Sequence, residues 1–108
     1  MPKPDFTFRE YAIMAAYDLT AINMEEFRGG KISTQIGYEI SSRDNGSLLI
    51  RPYRLDGDGK KRYHPEIRVE DDKVLGRDSD LVEEIHATIR DLQQRVAKDN
   101  SADTNGWS

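Results

Sequence analysis

Residues 31–55, KISTQIGYEISSRDNGSLLIRPYRL, decide the fold, because a two-residue alternation of side chains leads directly into a turn. One side of the alternation carries the apolar residues and one threonine, namely Ile32, Thr34, Ile36, Tyr38 and Ile40. A period of two predicts a β-strand with one buried and one solvated face. Arg43-Asp44-Asn45-Gly46 then predicts a hairpin, since Asn and Gly tolerate the positive φ of tight turns. Residues 47–55 return as a second, antiparallel strand.

The length of the hairpin loop sets which residues of the two strands face each other. A two-residue loop at Asn45-Gly46 would pair Ile40 with Arg51, whereas a three-residue loop pairs Ile40 with Ile50. The longer loop also places Glu39 opposite Arg51. We favour the longer loop, because it pairs two apolar residues on one face and two opposite charges on the other.

The second strand contains Pro52, which lacks the amide hydrogen that a central strand needs. We therefore expect a bulge at Pro52. Such a bulge would return Tyr53 and Leu55 to the core side of the sheet.

A third strand is expected over Lys61–Val69, after a turn at residues 56–60. Its alternation points Tyr63, Ile67 and Val69 to one side, and Pro65 favours an edge position. Residues 70–78 are read as an acidic connection to the last helix.

Helical periodicity predicts one helix before the strands and one after them. Thr7-Phe8-Arg9-Glu10 has the spacing of a capping box, so the first helix is expected from Phe8 to Phe27, before Gly29-Gly30. Its core stripe consists of Phe8, Tyr11, Ala12, Ala15, Leu19 and Ile22. The last helix is expected from Asp78 or Ser79 to about Lys98, with one apolar stripe. That stripe consists of Leu81, Val82, Ile85, Ile89, Leu92 and Val96.

Together these patterns predict an α+β fold in the order helix, three-stranded antiparallel sheet, helix, with both helices on one face of the sheet. The 108 residues suit a single domain, which we assign to residues 1–98, and residues 99–108 are expected to be a disordered polar tail. The chain contains no cysteine, which excludes disulfides, thiolate zinc sites and a cysteine nucleophile. No apolar run reaches the length of a membrane span, so a cytoplasmic protein without membrane contact is expected.

The first helix carries a second apolar stripe on nearly the opposite side from its core stripe. The residues of this second stripe are Ile13, Tyr17, Met24 and Phe27. Either the chain itself covers both sides of the helix, or the second stripe binds a partner. We interpret it as a partner-binding surface, through which the protein forms a homodimer, binds another protein, or does both.

The formal charge of −4 is the sum of segments with opposite net charge. Residues 28–68 contain nine basic and five acidic side chains, and acidic residues predominate on both sides of them. Six basic residues fall on the predicted strands and turns, near Tyr53 and Tyr63: Arg51, Arg54, Lys60, Lys61, Arg62 and Arg68. An open sheet face with this composition is the candidate nucleic-acid-binding surface.

Motifs for catalysis or metal binding are incomplete. Asp56-x-Asp58-Gly59 resembles the start of a calcium loop, but Lys60 occupies the third ligand position. Glu83-x-x-His86 lacks the second such motif that a carboxylate-bridged metal site needs. His64, near Glu66 and Arg62, is the one arrangement that acid–base catalysis could use. We therefore expect a non-enzymatic protein without metal or cofactor.

The predicted order of elements resembles that of YbaB-type nucleoid-associated proteins and of double-stranded RNA-binding domains, which would imply nucleic-acid contact. In this chain Lys60-Lys61-Arg62 lies in a strand turn, whereas those RNA-binding domains carry lysines where the last helix begins. The order of elements assigns the chain to neither family. The sequence therefore favours a small protein–protein interaction module, such as an inhibitor, an immunity protein or a chaperone-like accessory protein. A DNA- or RNA-associated protein is the alternative.

Overall fold

A computed structural model describes residues 6–42, 46–55 and 58–105, with the side chains of the last helix described as far as Lys98. Its elements are α1 (Phe8–Arg28), β1 (Gln35–Ser42), β2 (Leu48–Leu55), β3 (Lys61–Tyr63), β4 (Ile67–Glu70), β5 (Lys73–Gly76) and α2 (Ser79–Asn105). The α+β class is confirmed. The prediction of three strands is wrong, because the antiparallel sheet formed by the described residues has five.

The β1–β2 hairpin has the register expected for the longer loop. Glu39 lies opposite Arg51, and Ile40 lies opposite Ile50. The pairing continues without a bulge through Pro52, which faces Tyr38. The expected bulge at Pro52 is therefore wrong. Tyr53 and Ile50 lie on opposite faces of the sheet, and we call the face that carries Tyr53 the outer face.

The irregularity predicted for β2 occurs instead on the strand beside it. β2 pairs with β3 at Tyr53 and Tyr63, and with β4 at Ile50 and Ile67. Between these pairs, three residues at 64–66 stand opposite two on β2, so the neighbouring strand carries one extra residue. Pro52 accounts for the break, because it accepts a hydrogen bond from the His64 amide (2.9 Å) but has no amide hydrogen to return.

This extra residue divides the predicted strand Lys61–Val69 into β3 and β4. Its consequence is that Tyr63 lies on the outer face while Ile67 and Val69 are buried in the core. The expectation that these three side chains point to one side is therefore wrong.

β5 lies within the segment expected to be an acidic connection. Glu70 of β4 faces Lys73 of β5, so that only Asp71 and Asp72 form the turn. Asp71 has φ 52°, and Asp is among the few residues other than glycine that adopt this conformation readily. The two aspartates thus close a hairpin and do not form a linker.

α1 begins with the expected capping box. The Glu10 amide donates to Thr7 Oγ1 (3.1 Å), and the Thr7 amide donates to Glu10 Oε1 (3.1 Å). The helix ends at Arg28, where the Gly29 amide donates to the Glu25 carbonyl (2.9 Å). Of the expected core stripe, Ile22 is misassigned, because 49% of its surface is exposed.

The core joins both helices to one face of the sheet, which we call the inner face. Its fully buried centre combines small residues of α1 with branched residues of the strands and α2: Ala12, Ala15, Ala16, Leu48, Ile50, Ile67, Ile85 and Ile89. The alanines let α1 approach closely, and the branched side chains fill the space beneath it.

α2 continues to Asn105, beyond the expected end near Lys98. The expected disorder of the polar tail stays a prediction. Residues 106–108, with Trp107, lie outside the described residues.

α1 is also fixed to β1, an edge strand of the sheet, through hydrogen bonds to its backbone. The Tyr38 amide donates to Thr20 Oγ1 (3.0 Å), and Asn23 Nδ2 donates to the Ile36 carbonyl (3.1 Å). Backbone groups on the free side of an edge strand otherwise require water. α1 therefore occupies this part of the sheet edge.

Candidate functional site

The predicted partner-binding residues lie along one side of α1 but differ in exposure. Tyr17 is 67% exposed and Phe27 is 38% exposed. Ile13 and Met24 are half-buried, and Ile13 packs against the core. The structure thus brings the four residues to one side of the helix, where Tyr17 is largely exposed and Phe27 is partly exposed.

The position of Thr20 shows how far the chain itself covers this side of α1. Thr20 lies between Tyr17 and Met24 along the helix, and it contacts the edge of β1 through the Tyr38 amide. The chain therefore covers the margin of the second stripe. Tyr17 lies beyond that margin and remains open to solvent.

The predicted nucleic-acid-binding residues gather mainly at one end of the sheet. Arg54 and Arg62 face each other across β2 and β3, and Lys61 faces Leu55. Five of the six basic residues belong to this hairpin of β2 and β3, which we call the basic hairpin: Arg51, Arg54, Lys60, Lys61 and Arg62. The sixth residue, Arg68, lies on β4 and forms an ion pair with Glu70 (3.5 Å).

Two of the basic side chains pack on tyrosine rings of the outer face. The Arg51 guanidinium lies 4.2 Å from the centre of the Tyr63 ring, and Lys61 Nζ lies 4.6 Å from that of Tyr53. The rings themselves meet edge to face, with centres 6.3 Å apart. Both contacts have the geometry of cation–π interactions. We call these residues, with Glu39, the outer-face cluster.

Glu39 links the two cation–ring pairs of the outer-face cluster, because it contacts Lys61 of one pair and Tyr63 of the other. Lys61 Nζ donates to Glu39 Oε1 (2.7 Å), and the Tyr63 hydroxyl donates to the same oxygen (3.2 Å). The hydrogen bond from Lys61 lowers the pKa of the Glu39 carboxyl and raises that of the Lys61 ammonium. The positive charge of this face is therefore partly neutralised within the molecule.

The sequence analysis missed the role of Gly37. This residue lies on β1 opposite Tyr53, and the Tyr53 ring occupies the space that a side chain at position 37 would need. A glycine within an otherwise regular strand signals a close approach of this kind, so the signal was present in the sequence.

The sequence analysis placed His64 near Glu66 and Arg62 as the one candidate for acid–base chemistry. In the structure, His64 Nδ1 lies 3.9 Å from Asp78 Oδ2. Asp78 Oδ1 accepts a hydrogen bond from the Leu81 amide (3.2 Å) in the first turn of α2. His64 therefore contacts the residue that caps α2.

Tyr38 is buried close to Asp78, the residue that His64 contacts. Its hydroxyl lies 3.4 Å from Glu84 Oε2, and burial raises the pKa of Tyr38 strongly, with additional effects of Glu84 and Asp78. This arrangement holds the phenol in its protonated form.

In the two motifs that resemble metal sites, Asp56-x-Asp58-Gly59 and Glu83-x-x-His86, the described carboxylates accept hydrogen bonds from other groups of the protein. Asp58 Oδ1 accepts from the Lys60 amide (3.1 Å), as in an ordinary turn, and Glu83 accepts from Arg90 (3.0 Å). Among the residues that the structure describes, no group of three or more His, Cys, Asp or Glu could hold a metal ion. Asp56 lies outside the described residues.

Comparisons with protein-family models, with curated proteins and with solved structures gave no match to this chain. Within the described residues, neither helix combines the length and apolar character needed to cross a membrane.

Proposed function

We propose that the protein is a small non-enzymatic module that acts through protein–protein contact, in the manner of an inhibitor, an immunity protein or a chaperone-like accessory protein. We further propose that it forms a homodimer through α1. The observation that carries this proposal is Tyr17, which lies in the middle of α1 with 67% of its surface exposed. Exposed aromatic side chains with apolar neighbours are typical of interfaces, where Tyr and Met are enriched. The cytoplasmic location stays a prediction.

Sedimentation velocity of the full chain over a concentration series tests the proposal. The native protein should associate as concentration rises, and Tyr17→Glu should remain monomeric, because association would bury an unpaired charge. Tyr17→Phe should associate like the native protein. A matched control is Tyr63→Ser, which removes an exposed aromatic ring from the sheet and should also leave association unchanged. A native protein that is monomeric throughout, or a Tyr17→Glu variant that associates normally, contradicts the proposed homodimer through α1.

A second candidate function, binding of DNA or RNA, is supported by a separate observation. The basic hairpin carries five cationic residues, of which Arg51 and Lys61 lie on the outer face with Tyr53 and Tyr63, whereas strand alternation directs Arg54 and Arg62 to the other face. Cationic surfaces bind the phosphate backbone, and exposed aromatic rings can stack on bases. The net charge of −4 opposes such binding at long range.

Fluorescence anisotropy with duplex DNA and single-stranded RNA, at low and moderate salt, tests this candidate. Binding should weaken as salt rises, because each phosphate contact releases counterions. Lys60→Glu, in the basic hairpin, should weaken binding, and Lys73→Glu, on β5, should leave it nearly unchanged. Absence of binding, binding that ignores salt, or equal losses in the two variants would argue against nucleic-acid contact through the basic hairpin.

A further inference from the structure

A straight line of residues runs along the solvent side of α1, at alternating intervals of four and three positions. Its members are Glu10, Met14, Tyr17, Ala21, Met24 and Arg28. We call this line the outer ridge. Such spacing keeps side chains on one face of a helix and is the pattern through which paired helices meet.

The outer ridge lies opposite the buried alanines of α1. Glu10, Tyr17, Ala21 and Arg28 are exposed, whereas Met14 and Met24 are half-buried and Met14 also packs in part against the core. The ridge shares Tyr17 and Met24 with the second stripe described above. It therefore extends that surface along the whole helix, which spans about 31 Å at 1.5 Å per residue.

The outer ridge is complementary to itself when its direction is reversed. Its middle is apolar, and it ends in an acidic residue, Glu10, and a basic residue, Arg28. Positions at equal distance from Leu19 exchange places in an antiparallel pair related by a two-fold axis. Each end of the pair then matches a carboxylate with a guanidinium.

The same reversal matches the apolar middle by size. Tyr17 faces the partner's Ala21, so that a large ring lies over a small side chain, and Met14 faces the partner's Met24. Large-to-small and flexible Met-to-Met contacts are favourable ways to fill a helix interface. A parallel pair would instead stack Tyr17 on its own copy and place like charges together at both ends.

We infer that α1 pairs with α1 of a second copy in the antiparallel direction, with Glu10 of each copy against the partner's Arg28. This inference rests on the proposed homodimer and names its geometry. On one flank of the outer ridge, Ile13 and Phe27 join the contact, so that all four predicted partner-binding residues take part in it. On the other flank Asp18 lies near the two-fold axis opposite its own copy, a like-charge pair that opposes association and that the apolar middle and the two end pairs must outweigh.

Cysteine cross-linking of the full chain tests the direction of pairing, because the native sequence has no cysteine. In the antiparallel pair, two copies of position 21 are offset by about 6 Å along the axis, and two copies of position 28 by about 27 Å. A short bismaleimide should therefore link Ala21→Cys into a dimer and fail to link Arg28→Cys. A parallel pair would link both variants.

The outcomes separate the inference from the proposed function. Efficient linking of both variants, or of Arg28→Cys alone, overturns the antiparallel geometry while leaving the dimer in place. A dimer in sedimentation that neither variant links overturns α1 as the interface. A protein that sediments as a monomer overturns the proposed homodimer itself.

Charge reversal provides an independent measurement of the same contact. Arg28→Glu alone should weaken self-association about fivefold or more, since two exposed attractive pairs become repulsive. Glu10→Lys should do the same, with circular dichroism confirming that the helix survives loss of its capping box. Mixing the two variants should restore association, because both end pairs become attractive again. A mixture that associates no better than either variant alone contradicts the pairing of Glu10 with Arg28.

Discussion

The ring of Tyr53 lies directly against the backbone of Gly37 on the neighbouring strand. A Cβ placed at position 37 would overlap Cζ and Oη of that ring and would lie 2.8 Å from Cε1. The glycine thus lets the Tyr53 ring extend across β1, where Lys61 Nζ lies 4.6 Å from the ring centre. The absence of a side chain at Gly37 is therefore required for the packing of the outer-face cluster.

Gly37→Ala should destabilise the protein by about 1–3 kcal/mol, the usual cost of overpacking a close contact. Urea denaturation of the variant and of the native chain measures this difference. In the background Tyr53→Ala, the same substitution should cost much less, because the obstructing ring is gone. An equal cost in both backgrounds would show that the ring contact is not the cause.

Thr20→Val should destabilise the protein by about 1–3 kcal/mol, because the Tyr38 amide would lose its acceptor in a partly buried place. The isosteric methyl keeps the volume of the side chain, so the loss reports the hydrogen bonds of the hydroxyl, which accepts from the Tyr38 amide and donates to the Ala16 carbonyl (2.8 Å). Thr20→Ser retains the hydroxyl and should remain close to the native stability. Hydrogen exchange of the Tyr38 amide, faster in Thr20→Val only, would identify the site of the change.

The contribution of Glu39 to stability should depend on pH. Its pKa is lowered in the folded protein from an ordinary value of 4.5, mainly by the hydrogen bond from Lys61. The folded state therefore favours the carboxylate, and the added stability is present above pH 4.5 and is lost as the pH falls through the lowered pKa. The urea midpoints of Glu39→Gln and the native protein should differ at pH 7 and converge in acid. A difference that persists unchanged in acid would contradict this assignment.

Tyr38 should make the stability of the protein fall as the pH rises in the alkaline range. Its pKa is raised above the ordinary value of 10.0, chiefly by burial. The unfolded chain therefore loses the phenolic proton first, and stability falls as the pH rises above 10. Tyr38→Phe lacks the proton and should lose less stability between pH 9 and pH 11 in urea titrations. An equal loss in both proteins would show that Tyr38 remains accessible to solvent.

The parts of the fold that depend on local chemistry could be predicted from the sequence. The capping box at Thr7 and Glu10 fixes where α1 begins, and the pairing of Glu39 with Arg51 follows from burial and charge on adjacent strands. Both relationships involve residues that are close together along the chain. Such contacts leave few alternatives for the backbone.

The remaining strands depend on relationships that periodicity does not contain. Pro52 has its effect on the strand beside it, where the extra residue at 64–66 turns Tyr63 outward. Asp71 and Asp72 form a hairpin turn in which Asp71 adopts a positive φ, and the charge pattern of this segment does not reveal that conformation. The sequence analysis therefore missed β5. It also placed Tyr53 on the core side and Tyr63 on the side of Ile67 and Val69, whereas both tyrosines lie on the outer face.

The hydrogen bonds between α1 and β1 have a consequence for aggregation. A bare outer strand can act as a template on which foreign strands add and fibres grow. Here Thr20 and Asn23 occupy the outward amide of Tyr38 and the outward carbonyl of Ile36. On the opposite border of the described sheet the outer strands are β3, with three residues, and β5, with four, and both are short for a template. Strand addition at Ile36 and Tyr38 thus requires α1 to detach first, so fibre formation through this part of β1 should follow the local detachment of α1.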